Sequence, residues 1–140
     1  FMKVMAIDYG DARTGVAISD ATGLLAGFTT VIHGHKAAAV AQEAARLAKA
    51  HGVERIALGL PRTMNGTEGP RAELCREFGA LLERETGLPV AMWDERRTTV
   101  DAHRILTETG NRGKKRKEKV DAVAATLILE GYLGFLRSSS

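Results

Sequence analysis

The chain has 140 residues, of which 44% are hydrophobic and 26% are charged, a composition typical of one folded globular domain. No apolar run approaches the roughly 18 residues that a membrane-spanning helix requires. The single cysteine, Cys75, excludes an internal disulfide and favours a reducing compartment. We therefore expect one domain over residues 2–137, located in the cytoplasm, with no membrane partner.

The net charge of +3 is small, but its distribution is uneven. Residues 112–119, RGKKRKEK, contain six basic residues and one acidic residue. A mildly acidic body with one basic segment favours a polyanionic partner. We expect this segment to be a loop that binds such a partner. The alternative interpretation is a loop that is solvated and binds nothing.

Three strands are predicted near the N-terminus, over residues 3–9, 15–19 and 24–32. Short turns join them, which predicts an antiparallel meander. The remainder predicts helices over 36–50, 70–86, 98–109 and 119–136 and strands over 53–60 and 88–93. Helix-strand units require parallel pairing, so we predict an α/β fold with a mixed five-stranded sheet covered by helices on both faces.

Acidic residues fall at places where a carboxylate is costly to bury. Asp8 lies near the end of the first predicted strand, Asp94 and Glu95 follow the fifth, and Asp121 opens the last predicted helix. The carboxyl ends of parallel strands share one edge of a sheet, so Asp8 and Glu95 are expected together, and Asp121 joins them if its helix starts there. Asp94 is a weaker candidate, interpreted as a helper or a surface residue.

A divalent metal would offset the repulsion among such carboxylates, because magnesium prefers oxygen ligands. The alternatives for Asp8 are a basic partner, or plain exposure in a turn before a glycine.

Four motifs in order resemble the YqgF family: IDYGDARTGVAISD, GLPRTMNGT, WDERRTTVDA and KVDAVAATLILEGYL. Proteins of this family have an RNase H-like fold and are described as Holliday junction resolvases or pre-16S ribosomal RNA nucleases. The resemblance implies a catalytic and metal-binding triad at Asp8, Glu95 and Asp121. It also implies phosphodiester hydrolysis with two Mg²⁺ or Mn²⁺ ions.

Several other residues are candidates for substrate binding near this edge. Arg13 is expected to hold a phosphate or to pair with Asp8, and Arg96 to orient Glu95 or contact substrate. Asn65 lies in a turn whose backbone amides suit phosphate contacts. Sequence-independent phosphate contacts are also expected from Lys114, Lys115, Arg116 and Lys117.

The resemblance favours a nuclease that matures the 5′ end of pre-16S ribosomal RNA, with nucleic acid and the pre-ribosomal particle as partners. The alternatives are a Holliday junction resolvase, which needs a dimer for symmetric cuts, and a non-catalytic RNA-binding assembly factor. An actin-like ATP phosphotransferase is disfavoured because it needs two such domains. The sequence leaves monomer and homodimer both open.

Overall fold

The computed structural model of the chain describes residues 2–61, 66–94 and 113–139, with side chains in the last range given for 120–138. No helix in these ranges combines the length and apolar character that a membrane crossing demands. The elements in chain order are β1 (Val4–Asp8), β2 (Arg13–Ser19), β3 (Ala26–His33), α1 (Ala37–His51), β4 (Arg55–Leu60), α2 (Pro70–Thr86), β5 (Val90–Asp94) and α3 (Gly113–Ser139).

The described strands form a five-stranded sheet in the order β3-β2-β1-β4-β5. β2 pairs with β1 and β3 in antiparallel register, whereas β4 pairs with β1 and β5 in parallel register. The structure therefore confirms the mixed sheet and the N-terminal meander. Since β1, β4 and β5 run in the same direction, their carboxyl ends share one edge.

The two faces of the sheet bury side chains of different size. On one face, large residues such as Ile7 and Leu58 form a core with α1 and α2. On the other face, Ala6, Ala17 and Ala57 form a core with α3. Strand alternation sends successive residues to opposite faces, so each strand contributes to both cores. Helices thus cover both faces, as the sequence predicts.

The last helix differs from its prediction in two ways. α3 begins at Gly113, six residues earlier than expected, so most of the basic segment is helical and its interpretation as a loop is wrong. The helix is also not buried all round, because Phe135 is 51% exposed. Its buried residues recur at helical spacing on the side that faces the sheet: Ala125, Ile128, Leu129, Tyr132 and Leu133. The helix predicted over 98–109 lies outside the described residues.

Candidate active site

The carboxylate of Asp8 stands on the α3 face of the sheet, at the carboxyl end of β1. Val4 and Ala6 of the same strand pack in the α3 core, and alternation places Asp8 on that face too. Asp8 is paired in register with Gly15 of β2. Because paired residues of antiparallel strands share a face, the absence of a side chain at Gly15 lets another segment of the chain approach the sheet beside Asp8.

Asp121 approaches the same glycine from α3. A Cβ atom built on Gly15 would lie only 2.0 Å from the carbonyl oxygen of Asp121. The helix backbone therefore rests against β2 at the residue that is paired with Asp8. This contact brings the two predicted acids to one place, although 113 positions separate them in the sequence.

Arg13 connects the start of β2 to Asp121. Its Nε donates a hydrogen bond to Asp121 Oδ2 at 3.0 Å, and the Asp121 side chain is 18% exposed. The sequence led us to expect that Arg13 holds a phosphate or pairs with Asp8, and the structure gives it Asp121 as its ion-pair partner. Asp121 lies in the third turn of α3, so it does not open the helix, and the helix dipole that acts within the first turn does not stabilise its charge. The guanidinium of Arg13 offsets that charge instead.

The chain that leaves Asp8 is fastened to α2. Arg71 Nη1 donates to Asp11 Oδ1 at 2.8 Å, and Arg71 Nη2 donates to the carbonyl oxygen of Tyr9. The Arg71 guanidinium lies 5.1 Å from the centre of the Tyr9 ring, which stacks on Phe78 at 4.0 Å. Burial raises the pKa of Tyr9, and the positive charge of Arg71 opposes that rise.

β5 reaches the same edge. Gly59 of β4 is opposite Trp93, and Leu60 is opposite Asp94. Trp93 packs in the α3 core, so Asp94 alternates to the opposite face and does not share the face of Asp8. Three candidates lie outside the described residues: Glu95, Arg96 and Asn65.

The basic candidates occupy the first two turns of α3, and the helical repeat sorts their positions. Positions 114 and 117 precede Asp121 by seven and four residues, which places them on the side of the helix that carries Asp121. Positions 115 and 116 lie on another side, about 120–140° away. We refer to Lys114 and Lys117 as the near-side pair and to Lys115 and Arg116 as the far-side pair.

The chemistry of Asp8 and Asp121 fits a hard divalent cation. Both offer carboxylate oxygens, the ligands that Mg²⁺ prefers, and the close approach of α3 to Gly15 brings the two residues to the same edge of the sheet. Within the described residues no group of three or more acidic, histidine or cysteine side chains is gathered. The pair alone would hold an ion with few protein ligands, as Mg²⁺ sites in proteins commonly do.

Two residues that matter for this geometry were not singled out from the sequence. Gly15 is a glycine inside a strand, a pattern that often marks a close backbone approach. Arg71 is a cation in the first turn of a helix, where the dipole disfavours positive charge, so it is expected to have a compensating partner. Both signals were available in the sequence.

A mixed sheet with the order β3-β2-β1-β4-β5 and acidic residues on its first strand and last helix defines the RNase H-like class. Thermus thermophilus RuvC in complex with a Holliday junction substrate has the same fold, with a TM-score of 0.63 at 15% identity over 96% of this chain and 97% of that chain. Fowlpox virus resolvase in complex with Holliday junction DNA gives a TM-score of 0.58 at 14% identity, covering 96% of this chain and 99% of that chain.

The chain belongs to the RuvX family, described as Holliday junction resolvase, whose model matches residues 2–134. This family is YqgF under another name, so the resemblance seen in the sequence is confirmed. A relative from Agathobacter rectalis, named "Putative pre-16S rRNA nuclease", is 43% identical and covers 99% of both chains. A protein of the same name from Heliobacterium modesticaldum is 46% identical over 94% of this chain and 89% of its own length.

Proposed function

We propose that this protein is a metal-dependent nuclease that hydrolyses phosphodiester bonds in the 5′ leader of pre-16S ribosomal RNA. The observation that carries the proposal is the meeting of Asp8 and Asp121 at Gly15, within a chain of the RuvX family. The choice of RNA follows the names of the relatives, which describe a pre-16S rRNA nuclease. The proposed place of action is the cytoplasm, on the pre-ribosomal particle.

In this proposal Asp8 and Asp121 hold Mg²⁺ or Mn²⁺, and Glu95 is a third ligand or positions the attacking water. Two bound ions supply an activated water and stabilise the leaving oxygen of the phosphodiester. Asp8 is supported by its strand, and Asp121 by a helix whose next turns are buried against the sheet. Carboxylates fixed on regular elements keep the geometry that such chemistry requires.

Arg13 has two roles in this proposal. In the structure its guanidinium neutralises Asp121, with a side chain that is 32% exposed. A metal ion held by Asp121 would share its charge, and the guanidinium could then bind a phosphate of the substrate, a ligand that its geometry suits. Further substrate contacts are proposed for Arg96, Asn65, Lys114, Lys115, Arg116 and Lys117.

A second candidate function is Holliday junction resolution, favoured by the description of the family. A resolvase cuts two symmetric strands and therefore needs two active sites, which a homodimer provides. A monomer suffices for maturation of a single RNA end. The third candidate, a non-catalytic RNA-binding assembly factor, would need neither metal nor Asp8.

The test is cleavage by the purified protein of a labelled pre-16S 5′ leader and of a four-way DNA junction, with Mg²⁺ or Mn²⁺. Asp8→Asn is the variant expected to be inactive, and Asp20→Asn, a partly exposed carboxylate in the β2–β3 turn, is the matched control. The proposal is supported if the wild-type protein and Asp20→Asn cut the leader and Asp8→Asn does not. Paired symmetric nicks in the junction alone support the resolvase, and RNA binding without mutant-sensitive cutting supports the assembly factor.

A further inference from the structure

Arg71 makes three contacts with the segment that follows Asp8, and none of them is with a neighbour in sequence. It binds the Asp11 carboxylate, the carbonyl oxygen of Tyr9 and the Tyr9 ring. Tyr9 is the residue directly after Asp8. One side chain of α2 therefore restrains the backbone that leaves the proposed metal ligand.

The restraint is anchored in the core. The Tyr9 ring is parallel to Phe78 to within 9°, and Phe78 is 1% exposed. Tyr9 thus lies between a fixed aromatic ring and a guanidinium that also binds its carbonyl group. The Asp11 contact is the weakest of the three, because Asp11 is 90% exposed and exposed ion pairs contribute little.

The location of Arg71 shows that these contacts are not incidental. It is the second residue of α2, where the positive end of the helix dipole repels a cation. Arg76, five residues further along the same helix, makes a comparable ion pair with Glu68 but does not reach the β1–β2 segment. Arg76 therefore represents a surface ion pair on this helix, whereas Arg71 contacts the segment next to Asp8.

We propose that Arg71 is a positioning residue for Asp8: by holding Tyr9 against Phe78 it fixes the carboxylate in the orientation that binds the metal ion. This inference rests on the proposed function. A displacement of about 1 Å at a reacting group can cost about 100-fold in rate, so the loss of these contacts is expected to affect turnover more than substrate binding.

The experiment compares Arg71→Gln and Arg71→Lys with Arg76→Gln as the matched control. Arg71→Gln is expected to lower kcat by about 10- to 100-fold at little-changed KM, with partial rescue in Arg71→Lys, which keeps the charge but not the fork of donors. Mn²⁺ affinity without substrate, measured by titration calorimetry, is expected to weaken several-fold in Arg71→Gln and to be unchanged in Arg76→Gln. Urea unfolding verifies that each variant is folded. If Arg71→Gln is unfolded, Arg71→Lys takes its place in the comparison with Arg76→Gln.

A rise in KM with unchanged kcat and unchanged Mn²⁺ affinity would overturn the inference, because it would make Arg71 a direct phosphate contact. Equal effects of the Arg71 and Arg76 variants would overturn it too. Failure of the wild-type protein to cut any substrate would count against the proposed function alone. The Mn²⁺ titration would still decide the role of Arg71.

Discussion

Replacing Gly15 by alanine tests the contact that joins the two acids. The added Cβ would lie 2.0 Å from the carbonyl oxygen of Asp121, and contacts below 3.0 Å essentially never occur. An ordinary contact begins near 3.4 Å, so α3 and β2 must separate by more than 1 Å. The obstacle is backbone and not the end of a flexible side chain, so no rotamer change relieves it.

Two effects of known size follow from this separation. Forcing extra atoms into a packed site costs about 1–3 kcal/mol of the free energy of unfolding. Without the clash, alanine in place of glycine inside a strand would stabilise the chain by roughly 0.5–1 kcal/mol, so the sign of the change is itself informative. Moving Asp121 by about 1 Å relative to Asp8 is expected to lower cleavage about 100-fold.

Urea unfolding and single-turnover cleavage, measured at a temperature where the variant is fully folded, separate the two effects. Gly134→Ala in α3 is the matched control, because its nearest new neighbour is the end of Arg137 at 3.8 Å. It is expected to stabilise the helix by roughly 0.5–1 kcal/mol and to leave cleavage unchanged. A Gly15→Ala protein that is as stable and as active as the wild type would refute the proposed contact between β2 and α3.

Arg13→Gln is expected to bind Mn²⁺ more tightly, because the guanidinium competes with the ion for Asp121. It is also expected to cleave more slowly, because the proposed contact of the guanidinium with the substrate phosphate is lost. Weaker binding of Mn²⁺ in titration calorimetry contradicts this reasoning. Tyr9→Phe is expected to remove a loss of stability above about pH 10. Burial raises the pKa of Tyr9 above 10.0, so the folded chain retains a proton that the unfolded chain releases, and the free energy of unfolding falls as the pH rises. Equal urea-unfolding profiles of the two proteins between about pH 9 and 11 contradict that reasoning. Glutamine in the near-side pair is expected to reduce the salt dependence of nucleic-acid binding by about 0.7–0.9 in slope per residue, and glutamine in the far-side pair to change it less; equal slopes contradict the assignment of helix sides.

The sheet and the position of Asp8 at its edge could be predicted because they depend on local pattern. Apolar runs bounded by turns define strands, and an aspartate at the end of such a run lies at the sheet edge. The predicted start of α3 is six residues too late because the density of charge in the basic segment was interpreted as indicating a loop. Lys, Arg and Glu are good helix formers, and no glycine or proline interrupts the chain between Lys114 and Val120, so propensity favoured the helix.

The contacts that assemble the site could not be predicted from a local pattern. Arg13 pairs with Asp121 across 108 positions, and Arg71 binds Tyr9 across 62. Asp8 and Asp11 are closer to Arg13 in the sequence than Asp121 is, and only the path of α3 brings Asp121 to it. The sequence therefore indicated candidate residues for the site, whereas the packing of α3 determined that Arg13 pairs with Asp121.

The size of the buried residues explains why α3 can lie so close to the sheet. Ala6, Ala17 and Ala57 are fully buried beneath it, whereas the opposite face of the same strands carries isoleucine and leucine. Small side chains of the sheet on one face let the helix backbone reach Gly15, and the larger ones on the other face pack against α1 and α2. A larger residue at any of these alanines is expected to push α3 away from the sheet and so to separate Asp121 from Asp8. The geometry of the proposed site therefore depends on the hydrophobic core, and substitutions there are expected to reduce cleavage before they unfold the protein.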